Sequence, residues 1–485
     1  MISKRTLWCA GASLILCLAM YAFRVPFIDD AYISFRYSQR LSDLGSLSWN
    51  DTGSPVLGTT SVAWTLLVSG LYSLGISVEN AALLLTVLIV WLLLFSLHDL
   101  TMRILEQTSS RETDVAIITT SLITIAAINM PTRTGLFSGM ETALYCLLVL
   151  RGLVALDARG SLAGVYAGLA TLTRPDGAIL LPLALVLGSG RRLLYASTFL
   201  LVTVPWFFYS YRVYGELLPG SVEAKRLLYP SPWLKNFFML FEAHSANPVA
   251  ALLFCLAGAG LCAGFSIRCV RPFLWWLSLY AGGIAISGIK PIFFWYFTPT
   301  WLFGTVLGGA AGAAWLLKRG RLSSGRLSGV FTVGAGLIAV YSLSHDVRYE
   351  RSFLRELRYR EIVQSFRDEI SPADTILAGE VGIIAFGFPK NEVIDSSGIN
   401  SREVLTVLKD FRDKLGIDKK FVHFVDLQGW NRLLIEHFEP TVIIAARSRF
   451  GLDLLEHEQW FNELYDVRAI LAAEHVGGIG VYRRK

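Results

Sequence analysis

Apolar runs long enough to cross a bilayer recur over the first two-thirds of the chain, near residues 7–23, 80–98, 115–130, 141–156, 193–210, 248–266, 272–288, 292–316 and 328–345. A hydrocarbon core about 30 Å thick takes roughly 20 helical residues to span, so each run predicts a membrane helix. A further run, 162–188, is broken by Thr173-Arg174-Pro175-Asp176-Gly177. An Arg and an Asp at mid-bilayer are costly, and Pro-Asp-Gly is turn chemistry, so two short spans meeting at a turn are predicted there. The segment 61–76 is only 16 residues long and follows Gly- and Thr-rich sequence. Length leaves it open between a span and an interfacial helix.

Charge closes that choice, because cytoplasmic loops carry the excess of Lys and Arg. With Lys4 and Arg5 inside and 61–76 in the outer interface, Arg103/Arg111, Arg151/Arg159, Arg191/Arg192, Arg268/Arg271 and Lys318/Arg319/Arg321/Arg326 all fall inside. Ten of the fifteen acids before residue 345 then fall outside, Asp29, Asp30, Glu141, Asp176 and Glu242 among them. A full crossing by 61–76 would invert every later loop. The expectation is eleven spans, with the amino terminus inside. The first run has a basic start, but no small-residue cleavage site stands out before Arg24, so it reads as an uncleaved span rather than a signal peptide.

Composition sharpens the division. The 485 residues are 53% hydrophobic and 17% charged, against about 25% charged in a soluble domain; disorder, coiled coil and a purely soluble enzyme are excluded. Residues 1–345 carry 24 Lys+Arg against 15 Asp+Glu, a balance of +9, whereas residues 346–485 carry 20 against 23, a balance of −3. The chain therefore divides into a membrane body, 1–345, with a first outer loop at 24–79, and a soluble tail, 346–485. Basic residues scattered over short loops offer no nucleic-acid surface. All six cysteines lie in or beside apolar runs and the tail has none, so neither disulfides nor a zinc site is expected. A cysteine-free exported tail fits a multi-pass protein of a bacterial cytoplasmic (inner) membrane with its tail extracytoplasmic.

Asp29 and Asp30 follow the first span directly. Adjacent acids at a membrane boundary are costly unless they face water, a cation or a substrate. Tyr32, Phe35, Arg36 and Arg40 then recur at helical spacing, which predicts a short amphipathic helix on the outer surface. Two roles fit the acids. One caps the free N–H groups of the next turn; the other accepts a proton from a sugar hydroxyl as a C–O bond forms. A single carboxylate suffices when the leaving group is already a phosphate. Metal binding has less support, since hard cations need more oxygens than two neighbouring acids supply. No cofactor is expected.

The stretch Asp29-Asp30-Ala31-Tyr32-Ile33-Ser34-Phe35-Arg36-Tyr37 resembles the first-loop signature of GT-C membrane glycosyltransferases, closest to the branch of arabinofuranosyltransferases that use a polyprenyl-phosphate sugar. Four stretches resemble that branch in the same order: Gly58-Thr59-Thr60-Ser61-Val62-Ala63-Trp64-Thr65, Ser138-Gly139-Met140-Glu141-Thr142-Ala143-Leu144, Leu172-Thr173-Arg174-Pro175-Asp176-Gly177, and Tyr214-Gly215-Glu216-Leu217-Leu218-Pro219-Gly220 with Lys225. The resemblance implies that a first-loop acid is the catalytic base and that the first loop holds helices lying on the membrane. Asp29 matches the base best by its place after the first span, with Asp30 second.

Other outward polar residues each carry two readings. Arg174 offers a fixed fork of donors to a phosphate, or pairs with Asp176 to hold the turn. Glu141 is a helix N-terminal charge or an acceptor of sugar hydroxyls. Lys225 and Arg226 steady a departing phosphate or meet anionic lipid, the resemblance favouring the donor for Lys225. His244 reads as a surface histidine. Lys290 to Phe297 opens a span with aromatics that form an interfacial belt; within them Tyr296 resembles an aromatic site position of the family. Tyr32, Arg36, Glu141, Asp176 and Tyr296 are candidates to bind sugar or acceptor.

In the tail, a charged helix over 346–369 that includes Arg351 and Arg355 is followed by apparent strands at 374–379, 441–445 and 479–482, with helices near 401–415 and 427–438. A small α/β domain is expected. Glu380-Val381-Gly382 and Val393-Ile394-Asp395-Ser396-Ser397-Gly398 resemble the extracytoplasmic tail of the family, making Glu380 a candidate sugar or acceptor contact and the tail a lid, a platform or a structural cap. The expected fold class is thus an α-helical polytopic membrane protein of GT-C type with a small C-terminal α/β domain. The expected function is transfer of a sugar, arabinofuranose by resemblance, from a polyprenyl-phosphate donor to an extracytoplasmic glycan, glycolipid or protein. A transporter or flippase of lipid-linked sugars, or a non-catalytic assembly protein, is the alternative. No internal repeat supports the transporter.

Overall fold

The computed structural model of the chain describes residues 3–51, 55–108, 111–188, 190–245, 258–291, 293–350, 354–414, 427–473 and 476–485. Arg351 and the first part of the 248–266 run lie outside the described residues, as do the side chains of Glu242 and His244. Among the described residues, five helices are long and apolar enough to cross a membrane: Lys4–Ala22, Val78–Glu106, Arg192–Tyr214, Arg268–Ile286 and Phe294–Lys318. The pair Glu112–Ile128 and Met130–Phe137 makes a sixth if it is one span, bent by 72°. The bend falls where Pro131 enters the second helix, since proline cannot donate to the turn before it.

These helices account for five of the eleven expected spans, or six with the bent pair; the segment 61–76 is expected in the outer interface instead. Val62–Tyr72 has 11 residues, a rise of about 16 Å, too short to cross. Ala163–Thr173 ends where Arg174 takes an extended backbone, φ −149°, ahead of Pro175, the conformation that a following proline imposes. A 3-10 turn, Pro175–Ile179, leads into Leu180–Leu187. Small residues let these helices approach closely. A Cβ on Gly164 would lie 2.3 Å from the Tyr195 carbonyl, and one on Gly168 would lie 2.8 Å from Val202. The far side of Arg192–Tyr214 exposes Leu193, Leu200, Leu201, Val204 and Phe208, an apolar face that lipid would cover.

The tail folds around a five-stranded sheet of order β2-β1-β3-β5-β4. Its strands are β1 (Thr375–Ala378), β2 (Glu392–Asp395), β3 (Val442–Ala446), β4 (Tyr465–Leu471) and β5 (Ile479–Arg484). β1 pairs in parallel with β2 and β3, while β5 runs antiparallel to β3 and β4. β3 is buried along its whole length, as its continuous apolar sequence requires. β2 and β4 were not among the expected strands. β2 has four residues, and β4 is an edge strand exposed over most of its length.

The first outer helix, Asp29–Leu44, joins this domain to the body. Asp29 Oδ1 and Oδ2 accept the amide N–H groups of Ile383 and Gly382 at 2.8 and 3.0 Å, which open the short helix Gly382–Gly387. Seven residues on, buried Arg36 donates to the carbonyls of Ala385, Phe388 and Asn391 at and beyond that helix's other end, and to Trp49 O at 2.8 Å. Asn50 pairs with both the N–H and the C=O of Val393, each at 3.1 Å, so the loop covers the free edge of β2. Tyr32 donates to Glu79 and accepts from Arg360. Replacing Arg36 with Met removes these donors while keeping the stem. It is expected to weaken docking by about 1–3 kcal/mol, read as faster amide exchange in residues 382–391 with the membrane helices unchanged.

Candidate active site

The joint encloses a cavity of about 870 Å³ lined by the first outer helix, Lys225 and its neighbours, residues 290–295, and the tail domain. Asp29 and Asp30 occupy the first turn of Asp29–Leu44, where the helix dipole favours negative charge. Their side chains have parted. Asp29, ranked first as base by its place in the sequence, has both oxygens on amide N–H groups. Asp30 lines the cavity with no hydrogen bond or ion pair among the described residues. Burial pushes the Asp29 carboxyl up to about 8, reinforced by the charge of Glu380 and opposed by the two amide bonds. Burial likewise raises the Asp30 carboxyl, while Lys225 and Arg355 oppose the rise.

Lys225 projects from the helix Gly220–Leu228 into the cavity. Burial works against its charge, but the nearby Tyr296 and Asp30 outweigh burial and raise its pKa. Its Nζ lies 3.5 Å from the Tyr296 hydroxyl. Behind that contact, Arg174 sits 5.2 Å from the Tyr296 ring and 4.9 Å from that of Tyr145. Arg174 pairs with Asp176 through both carboxylate oxygens, at 2.9 and 3.2 Å, and donates to Trp295 O at 3.3 Å. Glu141 accepts from Ser61 at 3.0 Å at the start of Thr142–Asp157. Arg174, Asp176, Glu141 and Tyr296 therefore gather behind the cavity wall rather than on it, with Lys225 as their link to it.

Of the other expected contacts, Glu380 lines the cavity, its Oε1 lying 2.6 Å from Arg355 and 3.2 Å from Arg449. Tyr32, Arg36 and Arg226 do not line it. The first two are spent on the joint, and Arg226 is exposed on the next face of its helix. The cavity also holds Lys290, Arg355, Glu356, Asp395 and Arg449, which the sequence reading left out of the site. The residues after β1, β2 and β3 all reach it, as expected where parallel strands end; that rule was the signal available. Asp395 is fully engaged in its own turn, by Ser397 and Asn400. Among the described residues, no group of three or more His, Cys, Asp or Glu side chains is placed to hold a metal ion.

No family model and no curated protein matches the chain. Among solved structures it is similar to ArnT from Cupriavidus metallidurans in the apo state, with a TM-score of 0.55 over 98% of this chain and 97% of that one at 14% identity. The fold is of the GT-C type. Identity this low carries the architecture and leaves the chemistry to the residues. One of those residues tests the joint. A Cβ on Gly382 would lie 1.9 Å from the Asp29 carbonyl oxygen, so Gly382→Ala is expected to destabilise the docked domain by about 1–3 kcal/mol, measured as a lower Tm of the purified protein.

Proposed function

We propose that the protein is a membrane glycosyltransferase that moves a sugar from a polyprenyl-phosphate donor to a hydroxyl of an extracytoplasmic glycan, glycolipid or protein, with Asp30 as general base. The observation that carries this reading is the Asp30 carboxylate, without a hydrogen bond or ion pair among the described residues, in a cavity that also holds Lys225 and Lys290. The acceptor oxygen bonds to the anomeric carbon as that carbon's bond to the phosphate oxygen breaks. The hydroxyl proton passes to Asp30, and the lipid phosphate leaves with its bonding pair. Lys225 and Lys290 then balance the charge that grows on the phosphate. The sequence resemblance supports arabinofuranose as the sugar. A lipid donor is also reasonable chemically, since nucleotide sugars are confined to the cytoplasm while the acids gather on the opposite face.

The test uses liposomes holding the full chain and a series of polyprenyl-phosphate pentoses and hexoses, scored by label transferred to membrane acceptors. Asp30→Asn is expected to lower the rate by about 10²–10⁴ with donor binding retained; an undiminished rate removes the base. The pH profile adds a sign. A base must be deprotonated, and the Asp30 pKa is held above its ordinary 3.8, so kcat/KM should still be rising with pH above that value. A profile already flat there would contradict the assignment.

A further inference from the structure

The parallel part of the tail sheet reverses direction at β1. The chain leaves β1 toward β2 on one side and reaches β3 on the other. In open α/β sheets this reversal opens a crevice at the carboxyl ends of the strands, where ligands bind. Here Glu380 follows β1 and Arg449 follows β3, 3.2 Å apart across the crevice, with Arg355 and Glu356 from the helix Leu354–Ser365 behind them. All four line the cavity that contains Asp30, and Arg355 and Glu356 lie within electrostatic reach of it.

We propose that this crevice is the acceptor subsite, binding a neutral, hydroxyl-rich sugar unit through Glu380 and Arg449; the assignment rests on the glycosyltransferase reading and names its acceptor class. One observation selects that class. The charges lining the crevice, Arg355 and Arg449 against Glu356, Glu380 and Asp395, leave no excess positive charge for an anion, whereas Lys225 and Lys290 line the membrane side of the cavity. A sugar diol brings donors and acceptors side by side, matching a carboxylate set beside a guanidinium.

The test uses the full chain in lipid nanodiscs and saturation-transfer NMR with neutral methyl pentofuranosides, methyl hexopyranosides and N-acetylhexosaminides, alongside a methyl glucuronide and inorganic phosphate. At least one neutral glycoside should bind saturably to the wild type. That binding should weaken about tenfold or more, as loss of hydrogen bonds to charged groups does, in Glu380→Gln and in Arg449→Ala. The Arg449 side chain is 58% exposed, so its removal should leave the Tm unchanged. Asp30→Asn should bind the glycoside as the wild type does. In transfer assays Arg449→Ala should raise the acceptor KM and leave the donor KM alone. The subsite is overturned if no neutral glycoside binds, if both variants bind undiminished, or if only the anions bind. Glycoside binding that needs Arg449 while transfer survives Asp30→Asn would instead remove the proposed base and leave the subsite standing.

Discussion

The architecture depends on a six-residue helix held at both ends. Gly382–Gly387 presents its first amides to the Asp29 carboxyl oxygens and its last carbonyls to Arg36, so the free backbone groups at both ends of the helix find side-chain partners. Asp29 and Arg36 are seven residues apart, two helical turns, and so project from one face of the first outer helix across a rise of about 10 Å. That separation matches the length of the helix being gripped. The close approach also needs a glycine at 382, since any side chain there would meet the Asp29 backbone. Remove this joint and the cavity loses most of its polar wall, because the tail domain supplies Arg355, Glu356, Glu380 and Arg449.

Enclosure changes what the charges in the cavity do. A lysine and a carboxylate on an open surface interact weakly, whereas partial burial lowers the effective dielectric and strengthens each pairing. Burial raises the Asp30 carboxyl, which makes it a stronger proton acceptor once it is ionised. Lys225 keeps its charge despite burial because Tyr296 and Asp30 favour the ammonium. The same enclosure therefore sets a carboxylate and a cation within one space, the pairing that the proposed departure of a phosphate from a sugar would use.

The membrane body was largely legible in the sequence because its signals are local. The Thr173–Gly177 break, the short Val62–Tyr72 helix and the amphipathic first outer helix follow from run length, turn residues and periodicity over neighbouring positions. The joint was not legible. Arg36 and Tyr32 are polar residues at helical spacing beside the membrane, so they read as contacts for sugar or acceptor. Their partners, Ala385 and Arg360, lie more than 300 residues further on, and no periodicity reports such a pairing. The tail residues of the cavity were hidden for the same reason. Arg355 looked like one more charge on a solvated helix until the fold set it against Glu380.

The choice between the two aspartates shows how far this dependence reaches. Consecutive helical residues point about 100° apart, so anchoring one fixes the direction of the next. With Asp29 locked onto the Gly382 and Ile383 amides, Asp30 is turned into the cavity with no hydrogen bond or ion pair among the described residues. Adjacent acids look interchangeable in a sequence and are not interchangeable here. One carboxylate binds the tail domain, and because it does, the other is aimed at whatever the cavity holds. Docking of the tail and orientation of Asp30 are then a single event, so any change that loosens the domain also disorders the acid.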